Sequence, residues 1–386
     1  MYFIYSINKL ILQYMDYFIS PKEAKEKLNS NTNGYLFVDI RDTHEFDDWN
    51  IKGSVNVPVN PLIVEGKFTE IKKQLGSLPK NKLIVTICAR GINSQVATTI
   101  LREMDYNAVT LEKGMKGWNE NFDIYKLEFN DFAAVQFVRV GKGCLSYIVY
   151  SKKDNSAAVF EPSIFTDEYI GYAKTNGLSI KYVIDTHAHA DHFSGAMELA
   201  KKLNIDYSVN AIDVDKVFDF KSLQDTNKIN LGDVEIQILK TPGHTDGSLS
   251  FLINNEALIC GDLLLLESPG RPDLARTKEE TIKGAEILFG TLQNVILKLD
   301  DSVKILPSHF TKTEIRPVIM TLGELKKYSK AVSINDKNKF IEYLTSNIPV
   351  TPPNYESIKK FNKSGVMIPV DYAEELEIGP NRCAAR

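Results

Sequence analysis

The stretch that decides the fold is Thr186–His192, with the sequence THAHADH, which follows the apolar segment Lys181–Asp185. It holds three histidines and one aspartate within seven residues. The alanines between these polar residues leave room for imidazole and carboxylate groups to converge on one cavity at a strand end. The spacing His-x-His-x-Asp-His differs from the helical His-Glu-x-x-His zinc motif. The stretch therefore indicates a metal site built on a loop that follows a strand.

Further potential ligands lie downstream, each beside an apolar segment or in a loop of small residues. His244 lies in the loop Thr241–Ser248, Asp262 follows the strand Ala257–Cys260, and His309 ends the stretch Leu306–His309. Five of the six histidines of the chain belong to this set, so unrelated buried polar groups are the less favoured interpretation. The donors are borderline or hard ligands, which suit zinc, iron or manganese.

A second candidate site lies in the first third of the chain, where a loop follows the strand Lys82–Cys88 and opens a helix. Backbone N–H groups of such a loop can bind an anion, and the helix dipole with Arg90 favours a thiolate. Glycine in the loop permits backbone angles that other residues resist. The chemistry suits a cysteine that accepts a sulfur atom as a persulfide, and a buried structural cysteine is the alternative. The candidate residues are Cys88, Arg90, Gly91, Asn93 and Ser94.

Composition excludes several classes of protein. The 386 residues predict two or three domains at about 150 residues each. Lys plus Arg total 46 against 50 for Asp plus Glu, so the net charge of -4 gives no sign of a nucleic-acid partner. The cysteines show no disulfide spacing, which favours a reducing cytoplasm. No apolar run approaches the ~18 residues of a membrane helix, so no membrane partner is expected.

The chain divides into segments of different character. Residues 1–18 are expected to form an N-terminal extension rather than a signal, since Lys9 interrupts the apolar run and no cleavage site follows. Residues 19–122 alternate strands and helices, which predicts an α/β domain with a mostly parallel sheet. Strand signals dominate early in residues 125–345, and residues 311–345 are expected to be helical. Residues 346–386 are expected to add one helix and a tail packed on the second domain.

Several short motifs resemble those of rhodanese-like domains, in the same order: Val38–Arg41, His44–Phe46, Ile51–Pro58 and Gly114–Trp118. The resemblance covers residues 19–120 and implies that Cys88 is the sulfur-accepting nucleophile in a loop of six positions. Many active rhodaneses carry Arg at the position of Asn93, and its loss weakens the expected affinity for thiosulfate. His44 is expected to be structural.

The histidine and aspartate set resembles that of the metallo-β-lactamase superfamily, which implies an αββα sandwich with a metal at its rim. Within that superfamily the set is similar to glyoxalase II, where two zinc ions cleave a glutathione thioester. It is also similar to persulfide dioxygenases, where one ferrous iron uses the positions of His187, His244 and Asp262. The other residues then orient ligands or hold a second metal, and they are His189, Asp191, His192 and His309.

Two features favour the dioxygenase. The segment Gly270–Leu274 resembles the Gly-Arg-x-Asp segment of persulfide dioxygenases, in which Arg271 and Asp273 brace the active-site loop. A sulfurtransferase domain on the same chain would also produce or use persulfide sulfur. The expected substrates are a low-molecular-weight thiol persulfide and O₂, and the products are sulfite or thiosulfate. The alternatives are a glyoxalase II-like hydrolase with one or two zinc ions and a non-catalytic sulfur carrier, and a homo-oligomer is compatible with either enzyme.

Overall fold

The computed structural model describes residues 17–30, 33–223, 228–274, 277–310, 313, 315–346, 348 and 350–382. The chain forms two compact units. One extends to Phe122 and also includes Arg139–Lys142, and the other comprises Asp123–Val138 and the residues from Gly143 onward. Among the described residues, no helix has the length and apolar character needed to span a bilayer.

The first unit contains a five-stranded sheet in the order β1-β5-β4-β2-β3. All neighbouring strands run parallel, so each connection must cross over the sheet, and helices make most of these crossovers. The strands are β1 Phe18–Ile19, β2 Tyr35–Asp39, β3 Val55–Asn56, β4 Leu83–Ile87 and β5 Ala108–Leu111. The helices are α1 Pro21–Asn29, α2 Thr43–Asp48, α3 Asn60–Val64, α4 Phe68–Leu75, α5 Asn93–Glu103 and α6 Gly114–Trp118. The predicted parallel α/β domain is confirmed.

Local sequence explains where these elements begin. Ser20 caps α1 by accepting a hydrogen bond from the backbone N–H of Glu23, with proline in the first turn, as the sequence indicates. The central strand β4 buries Ile84 among side chains such as Ala97 and Leu101 of α5. The loop between β4 and α5 therefore lies at the carboxyl end of a buried strand and at the start of a helix.

The second unit contains two mixed sheets. The seven-stranded sheet has the order β12-β11-β10-β9-β8-β7-β6, and the six-stranded sheet runs β13-β14-β15-β16-β17-β18. The strands of the first are β6 Phe122–Glu128, β7 Phe132–Arg139, β8 Cys144–Ser151, β9 Ser156–Phe160, β10 Ser179–Ile184, β11 Tyr207–Val209 and β12 Lys221–Ser222. Those of the second are β13 Lys228–Leu231, β14 Val234–Lys240, β15 Leu249–Ile253, β16 Ala257–Gly261, β17 Lys304–Pro307 and β18 Met320–Thr321.

The core of this unit lies between the two sheets. Phe160 of β9 and Phe251 of β15 meet edge to face with ring centroids 5.1 Å apart, and both are fully buried. The helices of this unit are α7 Thr166–Thr175, α8 Ala196–Leu203, α9 Lys278–Asn294, α10 Leu322–Tyr328, α11 Lys337–Ser346, α12 Tyr355–Ser364 and α13 Val370–Leu376. Helix α8 packs on β10 and β11, and α9 packs on α11. The predicted sandwich is confirmed.

The structure departs from the predicted elements in three places. Strand β6 was not predicted, because its residues alternate between exposed and half-buried without an apolar run. The stretch expected to be helical over 311–345 holds strand β18 and the separate helices α10 and α11, and a capping box at Thr321 starts α10. After residue 346 there are two helices rather than one. Gly365, at φ 66°, ends α12, and Pro369 precedes α13.

Two predictions concern the ends of the chain, namely the N-terminal extension and the C-terminal tail. Residues 1–16 of the predicted extension lie outside the described residues, and Phe18 already belongs to β1. Residues 383–386 also lie outside the described residues, so the tail that carries Cys383 stays a prediction.

Candidate metal centre and cysteine loop

The predicted ligands of the second unit lie on loops that follow strands of both sheets. The first four follow β10, and the others follow β14, β16 and β17. Because these strand ends meet at one rim of the sandwich, the side chains form one connected cluster. Ring centroids are 4.3 Å apart for His187 and His189, 4.8 Å for His187 and His244, and 5.3 Å for His192 and His309. All seven residues are at most 8% exposed: His187, His189, Asp191, His192, His244, Asp262 and His309.

His187, His244 and Asp262 form one group of potential ligands, each with one donor atom within 4.8 Å of the others. Asp262 Oδ2 lies 3.8 Å from His187 Nε2 and 3.6 Å from His244 Nε2. His187 Nε2 and Asp262 Oδ2 are buried and make no hydrogen bond among the described residues. Buried polar atoms left in this way are costly unless a ligand satisfies them. The donor set therefore fits a bound cation.

Hydrogen bonds at Nδ1 fix the orientation of the His187 and His244 rings. His244 Nδ1 lies 2.8 Å from the carbonyl oxygen of Arg271, and His187 Nδ1 lies 2.8 Å from Thr186 Oγ1. A histidine whose Nδ1–H is held by an oxygen presents the lone pair of Nε2 to a metal. Both rings thus direct Nε2 towards Asp262.

A second group of potential ligands comprises Cys144, Asp191, His192 and His309. Asp191 Oδ1 lies 2.9 Å from His192 Nδ1, and Asp191 Oδ2 lies 3.0 Å from His309 Nε2. Cys144 Sγ is 3.9 Å from Asp191 Oδ2. The sequence did not identify Cys144, because no local spacing links it to the histidines. Only strand pairing brings it close, through an isolated bridge between Cys144 and His309.

Glu161 is another residue that sequence reasoning missed. Its buried carboxylate accepts hydrogen bonds from Thr186 N at 2.6 Å, Thr186 Oγ1 at 3.0 Å and Ser308 Oγ at 2.7 Å. It also lies 3.3 Å from His189 Nε2. Glu161 therefore ties together the loops after β9, β10 and β17. Its position directly after a buried strand was the available signal.

Asp213 holds the loop that carries His244 through hydrogen bonds to two neighbouring loops. It accepts hydrogen bonds from Ala188 N at 3.1 Å, Thr245 Oγ1 at 2.6 Å and Gly247 N at 3.0 Å. These contacts join the loop after β10 to the loop after β14. Asp213 lies in a segment without an apolar pattern, so the sequence carried no signal for it.

The electrostatics of His187 and Asp262 favour metal binding. For His189, His192 and His309 burial opposes protonation, but nearby acidic groups outweigh it and raise the pKa above its usual value. Burial, together with the His189 and His244 rings, holds the pKa of His187 well below its usual value. Burial opposes ionisation of Asp262, but His309 outweighs it and lowers the pKa of Asp262 below its usual range. Burial also opposes ionisation of Cys144, whereas His192 and His309 lower its pKa to about 7. Neutral imidazole and ionised carboxylate or thiolate are the forms that bind a metal.

Arg271 and Asp273 form a buried ion pair beside this cluster. Arg271 is fully buried and donates from Nε to Asp273 Oδ1 at 2.8 Å and from Nη2 to Asp273 Oδ2 at 2.7 Å. Arg271 Nη1 reaches the carbonyl oxygens of Val350 and Arg382 at 3.3 and 3.2 Å. The same arginine offers its own carbonyl to His244, so the pair connects the His244 ring to the end of the described chain.

The C-terminal helices also contact the loop after β10. Asn362 of α12 donates to the carbonyl oxygens of His189 and His192 at 2.9 and 2.8 Å and accepts from Ser194 N at 3.1 Å. Phe193 N donates to a carboxylate oxygen of Glu377 at 2.9 Å. These bonds fix the backbone from which His189 and His192 project.

The cysteine loop of the first unit forms a tight turn between β4 and α5. Cys88 is 4% exposed, and its sulfur accepts a hydrogen bond from Ser94 N at 3.4 Å, in the first turn of α5. Gly91 has φ 75°, and a Cβ there would lie 2.8 Å from Lys113 N. Asn93 donates to Asn60 Oδ1 at 2.7 Å. Glycine is thus required in the loop, and Asn93 holds the loop to the start of α3.

Two predicted residues of the first unit are exposed. They are Arg90 in the cysteine loop and His44 on α2. The structure thus brings Gly91, Asn93 and Ser94 into a single turn with Cys88, while Arg90 faces solvent.

The fold and the sites define a two-domain chain, with a cysteine turn in a parallel α/β unit and a buried histidine–carboxylate centre in a unit of two sheets. The family model described as a rhodanese-like domain matches residues 20–121, and that of the metallo-beta-lactamase superfamily matches residues 139–309. The chain is a rhodanese-like domain fused to a metallo-beta-lactamase domain.

Individual relatives point to two kinds of enzyme. The mitochondrial persulfide dioxygenase ETHE1 of Bos taurus is 28% identical over 171 residues, which are 44% of this chain and 65% of that protein. A hydroxyacylglutathione hydrolase of Prochlorococcus marinus is 32% identical over 131 residues, 31% of this chain and 50% of that protein. The chain therefore spans half to about two thirds of the length of these relatives.

A solved structure supports the fold. The crystal structure of a metallo-beta-lactamase from Staphylococcus aureus superposes with a TM-score of 0.57 at 29% identity. The match covers 62% of this chain and 74% of that chain.

Proposed function

We propose that this chain is a persulfide dioxygenase joined to a sulfurtransferase domain. The observation that carries the proposal is the buried group of His187, His244 and Asp262, with two imidazoles and one carboxylate directed at one position. Two histidines and one carboxylate on one face leave open positions for O₂ and a substrate, as in non-heme iron oxygenases. These three residues would hold ferrous iron, which supplies the redox chemistry between O₂ and sulfur when bound.

The proposed reaction is balanced without a further reductant. One thiol persulfide, one O₂ and one water give one thiol, one sulfite and two protons. The bond between the two sulfur atoms breaks, and bonds from the terminal sulfur to oxygen form. Four electrons pass from sulfur to O₂, and the inner sulfur takes up a proton as it leaves as the thiol.

The contacts of the two carboxylate oxygens of Asp262 support a single metal ion at the group of His187, His244 and Asp262. Its Oδ1 atom lies 2.5 Å from His309 Nδ1, while its Oδ2 atom faces His187 and His244. One oxygen is thus held by His309, and Asp262 offers the other oxygen to a cation at this group.

The neighbouring residues would orient this group. The Arg271–Asp273 pair holds the carbonyl that accepts from His244, so it fixes the tautomer of that ring. Glu161 lies 3.3 Å from His189 Nε2 and holds the loop after β10. Such outer partners commonly change metal affinity by about 10–100-fold when they are removed.

Cys88 would carry sulfur in the first domain. Its buried sulfur accepts a backbone hydrogen bond at the start of α5, which suits a thiolate or a persulfide anion. A persulfide sulfur on Cys88 would either pass to a thiol acceptor or combine with sulfite to give thiosulfate. Each transfer breaks one sulfur–sulfur bond and forms one new bond to sulfur.

A zinc-dependent thioester hydrolase of the glyoxalase II type is the second candidate. The 32% identity to a hydroxyacylglutathione hydrolase and the second donor group around Asp191 favour it. The two candidates differ in metal, in co-substrate and in product, so one set of assays separates them.

The test measures metal content and reaction in the freshly purified full chain. We expect about one iron at the first group, O₂ uptake with glutathione persulfide or coenzyme A persulfide, and no cleavage of S-lactoylglutathione. Zinc without iron, together with thioester cleavage and no O₂ uptake, would contradict the proposal.

A further inference from the structure

We propose that Thr110 is a positioning residue of the cysteine loop, which stabilises a thiolate on Cys88 through the hydroxyl group of Ser94. The proposal rests on the proposed sulfur transfer by Cys88, and it adds a residue of strand β5 that lies outside the loop. The three side chains are buried, with Cys88 at 4% exposure and both Ser94 and Thr110 at 0%. Contacts among them are therefore shielded from water.

Ser94 contacts the sulfur of Cys88 at two points. Its backbone N–H donates to Cys88 Sγ at 3.4 Å, and its Oγ atom lies 3.4 Å from the same sulfur. A hydroxyl group can accept a hydrogen bond from a thiol and donate one to a thiolate. Hydrogen bonds to the charged form of a group favour that form. Ser94 thus favours the nucleophilic, ionised state of Cys88.

The hydroxyl group of Thr110 determines how the Ser94 hydroxyl is used. Thr110 Oγ1 donates to Ser94 Oγ at 2.6 Å. Because Ser94 Oγ accepts this hydrogen atom, its own hydrogen atom is available for the sulfur of Cys88. Consecutive hydrogen bonds in a buried site also polarise and strengthen one another. Thr110, Ser94 and Cys88 therefore form one hydrogen-bond network that ends at the sulfur.

The register of two parallel strands places Thr110 beside Ser94. Thr110 of β5 and Thr86 of β4 are register partners, so their side chains lie on the same face of the sheet. Thr86 Oγ1 donates to the carbonyl oxygen of Ser94 at 2.9 Å, whereas Thr110 donates to its hydroxyl group. Two neighbouring strands thus hold the backbone and the side chain of Ser94 separately.

A second buried hydroxyl group of α5 provides the comparison that the test needs. Thr98 is fully buried, and its Oγ1 atom lies 2.7 Å from Thr86 Oγ1. Thr98 therefore belongs to the branch that ends at the carbonyl oxygen of Ser94. The Thr110 branch ends instead at the hydroxyl group beside Cys88. Both branches bury threonines, but they differ in whether they lead to the sulfur.

The network would assist one step of sulfur transfer. When the thiolate of an acceptor attacks the terminal sulfur of a Cys88 persulfide, a new sulfur–sulfur bond forms and the old one breaks. The electron pair of the broken bond stays on Cys88 Sγ, which leaves as a thiolate. Ser94 donates to that sulfur, and Thr110 keeps Ser94 in the donating orientation. The same hydrogen bond favours the thiolate that takes up the next sulfur atom.

Alkylation of Cys88 by iodoacetamide at pH 7 in the full chain tests the proposal. Mass spectrometry of the Cys88 peptide separates this reaction from that of the other cysteines. Thr110→Val keeps the shape of the side chain but removes the donor, so alkylation should slow about two- to fourfold. The change is moderate because the thiolate fraction falls while the less stabilised thiolate is the stronger nucleophile. Thr110→Ser should restore the wild-type rate, and Thr98→Val, the matched control, should leave it unchanged.

A double-mutant cycle separates the network from a merely structural effect. Ser94→Ala should slow alkylation at least as much as Thr110→Val does, and adding Thr110→Val to Ser94→Ala should slow it no further. The proposal is overturned if Thr110→Val reacts at the wild-type rate, if the two effects multiply, or if Thr98→Val slows the reaction equally. If Thr110→Val does not fold, a wild-type rate in Ser94→Ala overturns the proposal by itself.

Sulfurtransferase assays on the same proteins keep this proposal distinct from the proposed function. Transfer to a thiol acceptor should fall in Thr110→Val in parallel with alkylation and should be unchanged in Thr98→Val. A wild-type chain that transfers no sulfur contradicts the proposed role of Cys88, and the alkylation rates then still decide whether Thr110 acts on the sulfur through Ser94.

Discussion

Asp262 is the residue on which both donor groups of the buried cluster depend. One of its oxygens faces His187 and His244, and the other lies 2.5 Å from His309 Nδ1. A carboxylate in this position provides the negative charge of the proposed iron site and also orients His309. No other described residue contacts both groups in this way through its two oxygens.

Asp262→Asn should therefore remove iron while leaving the fold intact. The amide keeps the shape of the side chain but loses the charge. Iron affinity should therefore fall by more than the ~10–100-fold that is typical when a residue that only orients a ligand is removed. Iron content after dialysis and O₂ uptake with a persulfide measure the effect. Asp219→Asn, at an exposed aspartate of the same domain, is the control. Full iron content in Asp262→Asn would show that Asp262 is not a ligand.

At the residue scale, the sequence could predict the histidines and aspartates because they lie in short motifs at strand ends. Cys144 and Glu161 could not be predicted in the same way. Cys144 meets His309 only through strand pairing across the fold, and Glu161 meets Thr186 only because β9 and β10 lie side by side. The sequence therefore carries no signal for Cys144, and for Glu161 the signal is its position directly after the buried strand β9.

At the scale of elements, helix α12 holds the loop after β10, which carries His189 and His192. Asn362 makes three hydrogen bonds to the backbone of residues 189–194, two as donor and one as acceptor. A loop that carries three clustered histidines needs such support, because its own residues form no regular structure.

Asn362→Ala should lower the free energy of unfolding by about 1–3 kcal/mol, since three backbone groups lose their partner. It should also weaken metal retention, because the histidine loop gains freedom. Denaturant unfolding of the metal-free and metal-loaded chain measures both effects. Lys360→Ala, at an exposed position of the same helix, should change neither. Equal stability of Asn362→Ala and wild type would refute this role for α12.

The elements that the sequence predicted well are those with a strong local pattern. Helix α1 begins at Ser20 and Pro21 as expected, and β4 is a fully apolar strand. Strand β6 was missed because its pattern is polar and its pairing with β7 decides its structure. Gly365 and Pro369 separate α12 from α13. The sequence did not predict this break, because the residues on both sides of it favour a helix.

At the scale of the whole molecule, the cysteine loop and the buried histidine–carboxylate cluster occur on one chain but in separate units. The motifs predicted both folds, and the family matches and the structure confirm them. The choice of metal could not be predicted with the same certainty, because one set of histidines and aspartates suits iron and zinc alike. The contacts of Asp262, with Oδ2 towards His187 and His244 and Oδ1 towards His309, support the proposed iron site.

Cys88→Ser tests whether the two sites act separately. It should abolish sulfur transfer to or from a thiol acceptor, since serine cannot carry a persulfide. It should leave O₂ uptake with free persulfide unchanged, because Cys88 lies in the first unit and the proposed iron ligands lie in the second. Sulfurtransferase and oxygen-electrode assays on the same preparation measure both. Loss of O₂ uptake with free persulfide would contradict the separation.

The most direct test of the proposed dioxygenase is the stoichiometry of oxygen and sulfite in the iron-loaded full chain supplied with glutathione persulfide. We expect one sulfite and one thiol for each O₂ consumed, and we expect all three signals to vanish in Asp262→Asn. Sulfite formed without O₂ uptake, or O₂ uptake that persists in Asp262→Asn, would contradict it.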